Sequence, residues 1–197
     1  IATANMGTGF YTWGNAFAQV WNANLPDLVK ASAQSTAGSE ANIGLLQQKE
    51  VNVAFLNNLS VYPSYRGIAQ FEGHEFKDMR MIVGIYYSVG TPVARAETGI
   101  TTYEGLKGKK FAVGPAGSGF EGMAKEALDA HGIDYINRKD LTPVHIGYTE
   151  VPDQLKNKFI DGGWFSGPVP QASLTEVATT IPVNFLSVTD PEIIKQW

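Results

Sequence analysis

Glycines that follow an apolar run give this chain its most suggestive chemical pattern. In the stretch VGPAGSGFEG, Gly117, Gly119 and Gly122 stand in G-x-G-x-x-G spacing ahead of a helical pattern. Backbone N–H groups of such a loop can cradle an anion, towards which the following helix directs the positive end of its dipole. A second loop, MGTGF, places Gly7 and Gly9 in the same position between an expected strand and an expected helix. The sequence therefore predicts two anion-binding loops.

A dinucleotide site is the larger alternative for the G-x-G-x-x-G loop. That fingerprint needs its first glycine at the strand end, whereas Pro115 and Ala116 separate Gly117 from the apolar run. Asp140 stands near the distance of a ribose-binding acid, but it precedes the next expected strand instead of ending it. A G-x-x-x-x-G-K-[ST] phosphate loop is absent from the sequence. The spacing favours an anion smaller than a dinucleotide.

Few residue patterns in the sequence suggest catalysis. The chain has no cysteine, and its histidines, His74, His131 and His145, stand in no metal-binding spacing. We expect His131 to contact carbonyl groups at a helix end. Serines occur beside glycines, yet no G-x-S-x-G nucleophile motif is present. The sequence therefore predicts no catalytic residue, no bound metal and no cofactor.

Length and composition describe an ordinary globular chain. It has 197 residues, of which 44% are hydrophobic, and a formal net charge of -4. The absence of a basic patch argues against a nucleic-acid partner. No stretch approaches the roughly 20 apolar residues that a membrane span requires.

Strands and helices are predicted to alternate in both halves, as in βαβ units around a mostly parallel sheet. In the first half, the expected strands cover 1–5, 29–34 and 51–58, and a β-rich run covers 78–95. The second half is expected to hold strands at 109–114, 144–150, 161–167 and 182–188. We therefore predict an α/β fold with a first lobe over 1–88, a crossing strand over 89–91 and a second lobe over 92–197.

Both ends of the chain fall inside expected elements. Ile1 lies within the first strand, and Asp190 and Pro191 start a helix that reaches the last residue, Trp197. We expect the chain to be an incomplete piece of a longer protein.

Four stretches together resemble one family. They are IATANMGTGFYTWGNAFA, STAGSEANIGLLQQKEVNVAFLNN, LKGKKFAVGPAGSGFEGMAKEAL and IDGGWFSGPVPQA, in order over almost the whole chain. The chain resembles the TAXI-type solute receptors of TRAP transporters. This resemblance implies a type II periplasmic-binding-protein fold, with two α/β lobes around a ligand cleft. It also implies export to the periplasm, action as a monomer and delivery of small organic acids to TRAP membrane subunits.

The resemblance implies ligand contacts from loop hydroxyls and N–H groups, an amide at a strand end and aromatic walls. Phe10 and Tyr11 hold the aromatic places after the first loop, whereas Met6 replaces a threonine for which Thr8 is expected to compensate. Ser88 and Thr91 stand where many relatives have a Glu and a His, so a ligand group held there in relatives is held differently here. The predicted ligand-binding residues are Gly7, Thr8, Phe10, Tyr11, Thr36, Gly38, Ser39, Asn57, Gly117, Ser118, Gly119, Trp164 and Phe165.

These observations lead to a solute-binding protein for a small organic anion, such as a dicarboxylate, an oxo acid or an acidic amino acid. An enzyme on a related two-lobed fold and a ligand-sensing domain are the alternatives. Turnover would favour the first alternative, and an output segment in the same gene would favour the second.

Overall fold

The computed structural model describes residues 1–195. These residues divide into two compact units. The first contains 1–87 together with 117–122, and the second contains 88–116 together with the described residues from 123 onwards. The glycine loop at 117–122 thus belongs to the first unit, whereas most of the helix that it opens belongs to the second. The lobe boundaries expected from the sequence stay a prediction.

The first unit is mainly helical. Its helices are α1 (Gly9–Asn24), α2 (Ser39–Gln47) and α3 (Asn58–Arg66). On α1, Phe10, Gly14 and Ala18 recur every four residues and form the buried face. Trp13, on the same helix, is 43% exposed.

The strands predicted for this unit were too long. Ala2 forms isolated parallel bridges with Gln34 and with Ala54, and these bridges are what the structure keeps of the strands expected at 1–5, 29–34 and 51–58. The run at 78–95 becomes a strand only from Val89 onwards. Helix α3 was not expected, because its residues continue directly from an apolar stretch that reads as a strand.

A five-stranded mixed sheet forms the second unit. Its strands are β1 (Val89–Arg95), β2 (Lys110–Ala112), β3 (Thr142–Val144), β4 (Gly162–Gly167) and β5 (Val183–Phe185). The strand order is β3-β2-β4-β1-β5, in which β2 pairs parallel with β3 and β4 while β1 pairs antiparallel with β4 and β5. The expected strand at 144–150 is displaced towards the N-terminus, since Pro143 and Val144 pair with β2 and 145–150 do not.

Helices accompany this sheet. They are α4 (Gly119–Ala130), α5 (Val151–Lys156), α6 (Ala172–Thr180) and α7 (Pro191–Ile194). Asp190 caps α7 by accepting a hydrogen bond from the N–H of Glu192 at 2.8 Å. Residues 196–197, to which that helix was predicted to extend, lie outside the described residues.

The core of the second unit gathers fully buried side chains, among them Phe111, Leu128, Tyr135 and Trp164. At its edge, the ring of His131 stacks on Tyr103 with 4.0 Å between centroids, and its Nδ1 lies 3.0 Å from Glu104 Oε1. The expectation that His131 contacts helix carbonyls was therefore wrong for its ring. Among residues 1–195, no helix is both long enough and apolar enough to cross a membrane.

Candidate functional site

Thr8 closes the start of α1. Its hydroxyl accepts a hydrogen bond from the N–H of Tyr11 at 3.3 Å and donates one to the carbonyl of Asn5 at 2.7 Å. Because one bond uses its donor and the other an acceptor position, this buried hydroxyl works as a helix cap. Gly7, which precedes it, has a φ of 85°, a left-handed conformation that favours glycine.

Phe10 lies in an aromatic cluster inside the first unit. Its ring centroid is 5.5 Å from that of Phe55, 5.9 Å from Phe120 and 6.2 Å from Tyr86. Phe10 is only 8% exposed, while Tyr11, the other aromatic residue predicted for the first loop, is half-buried. The cluster joins the first turn of α1 to the first turn of α4.

Thr36 belongs to a buried network that ties α2 to the bridged segments. Its Oγ1 lies 2.9 Å from the carbonyl oxygen of Thr3 and 2.7 Å from Asn42 Oδ1, and it accepts a hydrogen bond from the N–H of Gly38. Asn42 then donates to the carbonyls of Thr3 and Phe55 at 2.6 and 2.9 Å. Asn42 was absent from the predicted site, although STAGSEAN contains it, and it organises this corner.

Ser39 and Asn57 were predicted to contact the ligand, and the structure joins them to each other. Ser39 Oγ accepts a hydrogen bond from the N–H of Asn57 at 2.9 Å, and Asn57 Oδ1 accepts one from the N–H of Leu59 at 3.1 Å. Asn57 therefore caps α3. Gly38 occupies the N-cap position of α2 and gives the helix no side-chain cap.

Ser118 caps α4 in a pattern close to a capping box. Its Oγ accepts from the N–H of Glu121 at 3.1 Å, and a carboxylate oxygen of Glu121 accepts from the N–H of Gly117 at 2.8 Å. The sequence carried this signal in the S-x-x-E spacing of SGFE. Glu121 thus accepts one of the loop N–H groups predicted for a ligand.

The helix starts of α2 and α4 come together in the first unit. A Cβ atom placed on Gly119 would lie 2.7 Å from Ser39 Oγ and 3.2 Å from the Cβ of Asn57. A Cβ on Gly38, whose φ is 120°, would lie 3.3 Å from the Cβ of Ser118. Glycine is needed at both positions for this close approach. The structure thus brings together Gly38, Ser39, Asn57, Ser118 and Gly119.

Two carboxylates flank this convergence. Glu40 lies in the first turn of α2 and accepts a hydrogen bond from Gln70 Nε2 at 2.9 Å. Partial burial raises the pKa of Glu40, and repulsion from Glu121 adds to this. The helix starts therefore carry negative charge of their own.

Trp164 and Phe165 lie in β4 of the second unit, where both are buried. Successive strand residues point to opposite faces of a sheet, so these two side chains do not line one wall. Trp164 belongs to the core cluster, and Phe165 stacks on Tyr148 with 5.9 Å between centroids. The alternation along DGGWFSG could have revealed this separation.

Buried polar atoms without a hydrogen-bond partner are a further feature that sequence reasoning missed. Within residues 1–195 they include the Tyr86 hydroxyl in the first unit, and Ser88 Oγ and Trp164 Nε1 in the second. Burial also raises the pKa of Tyr86. No cluster of three or more His, Asp or Glu side chains suited to a metal ion occurs among the residues described.

The comparisons with known proteins agree with this architecture. A model of the NMT1-like family matches residues 1–196. The chain belongs to the NMT1-like family. The TAXI-type assignment is finer than this family and stays a prediction.

Solved structures similar to this NMT1-like chain include several substrate-binding proteins. The aliphatic sulphonate-binding protein SsuA from Escherichia coli matches with a TM-score of 0.57 and 14% identity, over 94% of this chain and 55% of that one. The alkanesulfonate-binding protein SsuA from Xanthomonas axonopodis pv. citri, bound to MOPS, matches at 0.61 and 12%, over 98% and 61%. An ABC uptake transporter substrate-binding protein from Streptococcus pneumoniae with bound histidine matches at 0.56 and 15%, over 96% and 75%. The predicted α/β fold of periplasmic binding proteins is confirmed. The NMT1-like chain spans less than two thirds of either sulfonate-binding protein.

Proposed function

We propose that this chain is a solute-binding protein that captures a small organic anion and delivers it to a TRAP-type membrane transporter. The observation that supports this most directly is the approach of the α2 and α4 starts in the first unit, made possible by Gly38 and Gly119. Helix starts present unpaired N–H groups and the positive end of the helix dipole. An anion is the natural ligand of such groups.

The hydroxyls of Thr36, Ser39 and Ser118 position these helix starts in this proposal. Each already holds an internal hydrogen bond, so the solute is bound chiefly by backbone N–H groups of α2, which has no side-chain cap. Gly7, Gly38 and Gly117 supply the left-handed turns that lead into the helices.

The carboxylates of Glu40 and Glu121 bear on the choice of solute. A dianion placed near them is repelled, whereas the ammonium group of an amino acid is attracted. Among dicarboxylates, oxo acids and acidic amino acids, we therefore propose an acidic amino acid as the preferred solute. Its α-carboxylate faces the α2 N–H groups, and its ammonium group faces Glu40.

A panel of solutes tests this proposal. We expect L-glutamate or L-aspartate to raise the thermal midpoint of the purified chain, because a ligand of the folded state stabilises it by mass action. At 100 times the dissociation constant the stabilisation is about 2.7 kcal/mol. Succinate and 2-oxoglutarate test the other acids, and NAD and ATP serve as controls. A shift with NAD or ATP and none with any acid would contradict an organic-anion receptor.

The remaining parts of the proposal have separate tests. We propose that the protein acts outside the cytoplasm as a monomer and changes no bond in its solute, so mass spectrometry should recover the added acid intact after incubation. Turnover would support the enzyme alternative. A TRAP-type partner predicts receptor-dependent uptake that an ionophore abolishes, whereas uptake that follows ATP would point to an ABC-type partner.

A further inference from the structure

Two hydrogen-bond donors in the second unit are buried and unused. The indole Nε1 of Trp164 and the hydroxyl of Ser88 have no partner within the part of the chain that the structure describes. Trp164 is only 4% exposed. A buried donor without an acceptor destabilises a folded protein, so such groups are rare and call for an explanation.

Both donors lie at one end of the β1–β4 pair. On β4, Trp164 stands opposite Pro92 and Ser166 stands opposite Gly90. The indole leans over Gly90, where an added Cβ would lie 2.7 Å from its Cη2 atom. Ser88 comes two residues before Gly90, so the ring extends along β1 in the direction of Ser88.

Neighbouring polar groups at this end satisfy one another. The hydroxyls of Tyr148 and Ser166 lie 3.0 Å apart, and Gln171 donates to the carbonyl of Val89 at 3.0 Å and to Thr91 Oγ1 at 3.3 Å. Trp164 Nε1 and Ser88 Oγ thus lack partners among the described residues, beside polar groups that have them.

The position of Trp164 in the sheet suggests what completes its hydrogen bond. β4 pairs parallel with β2 through Gly162 and Gly163, and Trp164 follows directly on the carboxyl side. In open α/β sheets, ligands bind outside the carboxyl ends of the parallel strands. An indole nitrogen only donates hydrogen bonds, so its partner must be an acceptor.

We propose that, within the second unit, Trp164 Nε1 and Ser88 Oγ donate hydrogen bonds to acceptor oxygens of a small organic anion. This inference rests on the proposed solute-binding function and assigns a subsite within the second unit. The subsite takes a carboxylate or another oxygen acceptor and rejects an ammonium group. Trp164 thus recognises a solute oxygen through its N–H group, beyond forming an apolar wall.

Indole N–H signals in nuclear magnetic resonance test the subsite on the whole chain. The protein has four tryptophans, and the spectrum of Trp164→Phe identifies the signal of Trp164 by its absence. L-glutamate, succinate and 2-oxoglutarate are the probes, and 1,4-diaminobutane is the cationic counterpart of succinate with the same number of carbons. We expect a binding acid to shift the Trp164 signal downfield and the diamine to leave it in place.

Variants of Trp164 and Ser88 should lose affinity for the acid without losing a stabilising hydrogen bond. We expect Trp164→Phe and Ser88→Ala each to weaken binding of the acid about tenfold. Neither should lower the urea midpoint by the loss of a hydrogen bond, because the ligand-free protein makes none there. Ser166→Ala is the matched control, since it breaks the bond to Tyr148 and should lower the midpoint. Ser88→Ala keeps the test valid if the Trp164→Phe protein does not fold.

The outcomes separate the two proposals. If the wild-type protein binds none of the acids, the proposed function fails and the subsite fails with it. If an acid binds while the Trp164 signal stays fixed and both variants retain full affinity, only the subsite is overturned. A downfield shift produced by the diamine would overturn the assignment of an acceptor.

Discussion

Ser39 Oγ lies 2.7 Å from the position that a Cβ atom would take on Gly119, 80 residues further along the chain. This relationship places the start of α4 against the start of α2 within the first unit. It also explains why glycine follows Ser118 in the loop, since any side chain would displace a hydroxyl that already holds the N–H of Asn57.

Replacing Gly119 by Ala should destabilise the protein. The new methyl group meets Ser39 Oγ and the Cβ of Asn57, and overpacking of this kind costs about 1–3 kcal/mol. Gly122→Ala is the control, because no atom lies within 4 Å of its added Cβ and alanine favours a helix by about 1 kcal/mol. Urea unfolding of both variants provides the measurement. Equal changes in stability for the two variants would show that the starts of α2 and α4 are not in close contact.

Replacing Ser118 by Ala should lower stability by about 1 kcal/mol, because the hydroxyl caps α4. Ser118→Gly should cost only a few tenths of a kcal/mol, as glycine is tolerated at helix caps. Urea midpoints of the two variants give the comparison. If alanine proves harmless while ligand affinity falls, the hydroxyl serves the solute and not the helix.

Replacing Asn42 by Ala should cost about 2–4 kcal/mol. Its fully buried amide donates to two carbonyls, and each buried group left without a partner costs about 1–3 kcal/mol. Asn24→Ala removes one exposed amide bond on α1, and we expect it to remain within about 0.5 kcal/mol of wild type. Chemical denaturation measures both. A small loss for Asn42 would mean that the network with Thr36 is not fixed.

Replacing Glu40 by Gln should stabilise the protein at neutral pH. Burial raises the pKa of Glu40 in the folded state. Protonation of Glu40 therefore stabilises the fold. This stabilisation is complete below the pKa of Glu40 in the unfolded state and is lost as the pH rises through its pKa in the folded state. Glutamine can keep the bond from Gln70 without the charge. The gain in stability over wild type should disappear at acidic pH. Unfolding of both proteins at pH 3 and at pH 7 provides the measurement.

Replacing Glu104 by Gln should destabilise the protein at neutral pH, whereas the Glu40 replacement stabilises it. A hydrogen bond from its own backbone, followed by one from His131, lowers the pKa of Glu104. The linked stability is present above the unfolded pKa and lost as the pH falls through the folded pKa. We therefore expect the variant to be less stable than wild type at pH 7 and to match it at low pH. A loss that persists at low pH would rule out this linkage.

Local signals determined much of the fold. Asp190 and Pro191 placed α7, and the two glycine loops placed the starts of α1 and α4. These features depend on residues within a few positions of one another, so the sequence specifies them directly. The S-x-x-E cap of α4 and the opposed faces of Trp164 and Phe165 were readable in the same way.

Tertiary structure alone decided which groups the candidate site residues contact. Ser39 Oγ accepts a hydrogen bond from the N–H of Asn57, and Thr36 Oγ1 bonds to the carbonyl oxygen of Thr3, 33 residues away. The strands expected at 1–5 and 29–34 shrank to bridges, because strand length depends on which partners lie alongside. A hydroxyl in a glycine loop has the same local signature whether it holds a solute or a neighbouring N–H. Only the positions of distant segments determine which of these it meets.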